Sequence, residues 1–202
     1  MKIIVIGATG TIGTAVVQAL AARRHEVVGT SRHAAIPVTL EDAASIQRLF
    51  DAIAEVDAVV CCAGNAAFGP LASLTGADYE LGLHSKLMGQ VMLAQIAKDR
   101  LREAGSVTLT SGILATQPMP GSASVSMINA GLDGFVRAAA LEMPRRLRIN
   151  VVSPPWVKET MVKLGMDPSS GLAAADVAQA YVASVEGDAQ GAVLDPQHLP
   201  PR

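Results

Sequence analysis

The stretch GATGTIG, residues 7–13, has the composition to hold a phosphate. Glycines at 7, 10 and 13 remove the side chains that would block a close backbone approach, and Ala8, Thr9, Thr11 and Ile12 supply the rest of the loop. The loop lies between the apolar run KIIVIG and a segment with apolar residues at helical spacing. In that context, backbone N–H groups and a helix N-terminus meet the pyrophosphate of a dinucleotide. The next apolar run, HEVVGT, is followed by SRH, without the acidic residue that would take a ribose 2′-hydroxyl. Arg32, helped by Ser31, suits a 2′-phosphate instead, so NADP is expected in preference to NAD. The two cysteines, Cys61 and Cys62, are adjacent, which suits neither a disulfide framework nor a zinc site of spaced ligands. They read as small apolar residues at a strand end, and no metal is expected.

These residues need a frame, and the apolar pattern supplies one. KIIVIG, HEVVGT, DAVVCCA, SVTLTS, RINVVS and a weaker GAVLDP are short apolar runs of the kind buried on both faces of a parallel sheet. Between them, Ile12, Ala15, Val16, Ala19 and Leu20 form one helical stripe, and Ile46, Leu49, Phe50 and Ile53 another. Strands alternating with helices predict an α/β fold, a Rossmann-type doubly wound parallel sheet sandwiched between helices. At 202 residues, half of them hydrophobic, the chain suits a single domain over 1–195. The proline-rich end DPQHLPPR predicts a loose tail over 196–202.

Composition narrows the partners. A net charge of −2 with scattered basic residues gives no footprint for nucleic acid or an anionic membrane. No apolar run approaches the ~18 residues of a membrane span, and KIIVIG at the start lacks the regions of a signal peptide. A cytoplasmic location is expected.

Gly7, Gly10 and Gly13, then CCAG, LTSG, NAGLDGFVRAAALEM and INVVSPPWVKET in that order, resemble the short-chain dehydrogenase/reductase family over nearly the whole chain. The resemblance implies a seven-stranded parallel sheet, NAD or NADP at the strand carboxyl ends, and a dimer or tetramer built on the fourth and fifth helices. It implies that Ala63 and Gly64 of CCAG lie beside the adenine ribose, with Thr39 where an Asp often meets adenine. It also implies that backbone groups near Val157 hold the carboxamide and that Thr160 touches the cofactor, with Pro155 replacing a glycine.

The family's chemistry uses Asn, Ser, Tyr and Lys, and here the match is altered. Ser111 in LTSG takes the serine's place. Aligning NAGLDGFVR with the family's KAALEGFVR puts Asn129 at the lysine and Val125 at the tyrosine, while Lys86 stands where the family has its asparagine. Asn and Lys are thus exchanged, and both groups can still meet in one pocket; the alternative is that Lys86 extends to water and Asn129 satisfies backbone groups. Ser124 and Ser126 flank Val125 and are within reach of the pocket. His84 lies about 200° around an α-helix from Lys86 and is expected to face away. The helix expected over 78–98 has apolar residues on more than one side, which predicts a homo-oligomer contact.

Two functions follow. The first is an NADP(H)-dependent oxidoreductase acting on a small carbonyl or alcohol through Ser111, Lys86 and Asn129. The second is a catalytically silent NADP(H)-binding sensor or partner protein on the same fold.

Overall fold

A computed structural model describes residues 1–199. Six strands, β1 (Lys2–Ile6), β2 (Glu26–Thr30), β3 (Ala58–Cys61), β4 (Ser106–Thr110), β5 (Arg148–Val152) and β6 (Val193–Leu194), form one sheet. Their order is β2-β1-β3-β4-β5-β6, and every pairing is parallel. All six apolar runs are strands. The seventh strand implied by the family likeness is absent among the described residues. From Ser31 to Asp42 the chain goes straight from β2 into the next helix, too short a path for the crossover that another parallel strand needs.

The helices are α1 (Thr11–Ala22), α2 (Ala43–Ala52), α3 (Gly76–Gly82), α4 (Gly89–Arg100), α5 (Ala123–Ala139), α6 (Lys158–Lys163) and α7 (Ala174–Glu186). Alternation along β1 sends Ile3 and Val5 to one face of the sheet and Ile4 and Ile6 to the other, as a two-residue period requires. One core layer packs Ile4 and Ile6 with Leu49 of α2, Leu93 of α4 and Leu132 of α5. The opposite layer packs Ile3 and Val5 with Val16 and Leu20 of α1 and Val177 and Tyr181 of α7.

The helix expected over 78–98 is interrupted. Between α3 and α4, residues Leu83–Met88 wind as a π-helix, with the Gly89 N–H donating to the His84 carbonyl. Such wider turns occur frequently at functional sites. They also void the α-helical angle between His84 and Lys86, although His84 is exposed. Of the expected tail, 196–199 includes a turn on Asp195, whose carboxylate accepts from the Gln197 N–H at 2.9 Å, and Leu199 packs against the core. The rest of that expectation, residues 200–202, lies outside the described residues. Among the described residues no helix is long and apolar enough to cross a membrane.

Candidate active site

The sheet order reverses between β1 and β3, and at such a switch point two loops diverge and leave a crevice beyond the strand ends. The register pairs Ile6 with Cys61, so the glycine loop leaves β1 beside the Cys62–Gly64 segment leaving β3. The loop is compressed to the limit. A Cβ on Gly13 would sit 2.0 Å from the Gly7 carbonyl oxygen, so only glycine lets α1 start this close to β1. Gly10 caps α1 without any side-chain hydrogen bond, leaving the helix's first N–H groups free of a side-chain cap. An uncapped N-terminus of this kind fits an anion such as a pyrophosphate.

The crevice has two lobes that share Cys62, Ala63 and Gly64. The first, about 260 Å³, is lined by Gly7, Thr9, Gly10, Ser31 and Arg32. Arg32 makes no ion pair among the described residues, so its guanidinium is available to a phosphate. Val38, Leu40 and Glu41, which sequence reasoning did not single out, close this lobe, while the Thr39 N–H is tied to Ser45 Oγ at 3.0 Å. The second lobe, about 270 Å³, is lined by Ile12, Lys86, Ser111, Asn129, Val157 and Thr160. Thr11 and Gly13 line neither lobe: Thr11 Oγ1 accepts from Lys163 Nζ at 2.8 Å, and Gly13 serves the packing of α1.

Lys86 and Asn129 meet. Lys86 Nζ donates to Asn129 Oδ1 at 2.7 Å and to the Ser111 carbonyl at 2.9 Å, binding the π-turn, α5 and the end of β4 together. Gly64 makes this approach possible, because a Cβ there would lie 2.8 Å from Lys86 Cγ and 2.9 Å from its Cα. Burial lowers the Lys86 ammonium to about 8, with the charge of Asp133 opposing. Beneath it, the fully buried Gln90 donates to the carbonyls of Lys86 (3.1 Å) and Thr110 (2.9 Å) and accepts from the Thr110 N–H (2.8 Å). One amide thereby ties the π-turn to the strand that carries Ser111.

Ser111 lines the cleft, whereas Ser124 and Ser126 depart from the expectation. Ser111 Oγ is buried without a hydrogen-bond partner. Ser124 is fully buried with its Oγ likewise unpartnered, and Ser126 donates to Ser122 Oγ at 2.9 Å; neither lines the cleft. Among the described residues no tyrosine lines either lobe. Tyr181 lies in the layer beneath, its hydroxyl 2.7 Å from Thr110 Oγ1, with burial raising its pKa well above the ordinary value. The same burial pushes the Cys61 thiol up to about 12, so it stays protonated.

Sequence reasoning missed Gln90, the apolar wall of Ile113, Leu114 and Trp156, and Asp133. Asp133 is 3% exposed. Its position four residues beyond Asn129 was the available signal, since i and i+4 share a helix face.

Residues 11–190 match the family model described as enoyl-(acyl carrier protein) reductase. The chain is 31% identical over 183 residues to versicolorin reductase stcU of Emericella nidulans, covering 78% of this chain and 69% of that protein. It is 30% identical over 117 residues to hydroxynaphthalene reductase arp2 of Aspergillus fumigatus, covering 57% and 43%. For the hydroxynaphthalene reductase-like protein Arp2 of Metarhizium brunneum the identity is 28% over 137 residues, 65% of this chain and 51% of that one. The chain thus spans about half the length of these hydroxynaphthalene reductases. Among solved structures, the protein lin1944 from Listeria innocua superposes with a TM-score of 0.92 at 38% identity, covering 96% of this chain and 98% of that one. A small-chain dehydrogenase solved in complex with NADPH gives a TM-score of 0.85 at 23% identity, covering 96% and 95%, a likeness of fold.

Proposed function

Because the chain belongs to the short-chain dehydrogenase/reductase family, we propose that it is an NADP(H)-dependent oxidoreductase of a small carbonyl or alcohol, with Lys86 as the proton donor. The observation that carries this reading is the Lys86 ammonium, lining the cleft and fixed by Asn129 and the Ser111 carbonyl. Those two acceptors use two of its three protons, which leaves the third for a substrate oxygen.

A dinucleotide bound in this cleft would supply a hydride to the carbonyl carbon. Everything else falls to the chain's own groups. The glycine loop and the α1 N-terminus hold the pyrophosphate, and Ser31 and Arg32 take the 2′-phosphate. Ala63 and Gly64 would border the dinucleotide's ribose, and Val157 and Thr160 its nicotinamide half. Lys86 donates its proton to the carbonyl oxygen as negative charge develops there. A pKa near 8 suits the task, because the amine is still protonated at neutral pH yet releases its proton more readily than an ordinary lysine. Ser111, in the lining of the cleft, orients the substrate oxygen. Ile113, Leu114 and Trp156 favour a substrate with an apolar body. A homo-oligomer is part of this reading, supported by the exposure of Leu81 (48%), Met88 (47%) and Met127 (44%).

The test is NADPH consumption over a carbonyl panel that includes hydroxylated naphthalenes. Turnover that falls about 10²- to 10⁴-fold in both Lys86→Met and Ser111→Ala is expected. Full activity in both variants discards the assigned roles. The lack of a tyrosine in the lining of the cleft favours a second reading, a silent NADP(H)-binding sensor or partner protein. Tight NADPH binding without turnover on any carbonyl is the outcome that selects it.

A further inference from the structure

Behind the lysine lies an acid that the proposed reaction leaves without a role. On α5, Val125, Asn129 and Asp133 succeed one another at intervals of four, so Asp133 stands one turn beyond the amide that holds Lys86. It is 3% exposed, and its Oδ1 has no hydrogen-bond partner. A carboxylate so placed, with an oxygen unsatisfied, is retained at a cost unless a cation compensates it.

The ionisable groups around it are few. Burial raises the Asp133 carboxyl, while the Ser111 side chain, Arg137 and Lys86 pull it back down. Arg137 lies one further turn along α5. The ionisable groups whose charge would raise the Lys86 amine are Cys61 on β3 and Asp133 on α5. Cys61 is neutral across the physiological range, because burial holds its thiol up to about 12. Asp133 is therefore the acid whose negative charge reaches Lys86 from the packed side of the site.

Resting on the reductase reading, we propose that Asp133 is a positioning residue of this site, its carboxylate being the counter-charge that holds Lys86 as an ammonium behind Asn129. Through Lys86 it sets the pH range over which the proton donor is charged, without touching the substrate itself.

The experiment follows the Lys86 side chain by NMR, through its Cε resonance, assigned from its loss in Lys86→Arg. In the parent protein the resonance is expected to titrate near pH 8. Asp133→Asn is expected to move that midpoint down by about half a unit to one unit, as removal of one charge a helical turn away should. Asp133→Glu, which keeps the charge, returns it toward the parent value, and Asp133→Ser serves the same measurement if the amide disturbs folding. With a turned-over substrate, the alkaline limb of the NADPH-dependent rate moves down in parallel. A midpoint unmoved in folded Asp133→Asn or Asp133→Ser overturns the proposal whatever the activity. A midpoint that moves in a protein with no turnover on any carbonyl upholds the role of Asp133 and rejects the reductase reading.

Discussion

Replacing Lys86 by Met should change how stability depends on pH, with no substrate involved. In the unfolded chain the amine titrates near the ordinary 10.5; in the folded protein, burial brings it to about 8. Below pH 8 the amine is protonated in both states, so the folded state bears the whole penalty of its buried charge. Between pH 8 and 10.5 the unfolded chain binds more protons than the folded one, so stability rises with pH across that window. At 1.36 kcal/mol per pH unit, the rise amounts to about 3 kcal/mol. Lys86→Met lacks this titration, while every other ionisable group is common to both proteins. Urea unfolding at pH 7, 8, 9 and 10.5 should therefore show the parent gaining about 3 kcal/mol on the variant, nearly all of it above pH 8. Two stability curves that run parallel would mean that Lys86 titrates as an exposed lysine, and the account of its environment would be wrong.

Three further outcomes are expected. Gln90→Leu strands the Thr110 N–H and carbonyl and the Lys86 carbonyl, and should lower stability by about 2–4 kcal/mol in chemical denaturation, with a near-parent value contradicting the clamp. Gly13→Ala forces a methyl to 2.0 Å from the Gly7 oxygen, so calorimetry should find NADPH binding lost or weakened at least about tenfold, and unchanged affinity would refute the compressed loop. Arg32→Ala should weaken NADPH binding about 10- to 100-fold and leave NADH binding within about twofold, whereas equal effects on both would remove the 2′-phosphate assignment.

Much of the frame was legible because buried parallel strands write themselves as apolar runs; even the two-residue β6 announced itself in GAVLDP. The glycine loop was legible for a steric reason, since Gly7 and Gly13 lie where no side chain fits. What escaped depends on geometry that periodicity does not encode. The π-turn over Leu83–Met88 carries no residue pattern to distinguish it from an α-helix, and its presence decides where Lys86 points. Gln90 reads as a surface residue and is instead fully buried, because its amide matches the open end of β4. Asp133 reads as solvent-facing by its charge alone, although its spacing from Asn129 puts it on the buried face of α5. The family likeness also suggested one strand too many, since the short link from β2 to α2 has no room for it.

The central claim, that Lys86 moves a proton in a dinucleotide site built by the glycine loop, is tested most directly by separating binding from turnover in Lys86→Met. Calorimetry and NADPH oxidation are measured on the same preparation of parent and variant. The account predicts NADPH affinity within about threefold of the parent and turnover lower by at least about 10²-fold. Turnover retained at the parent rate, or a parent protein that binds no NADPH, would contradict it.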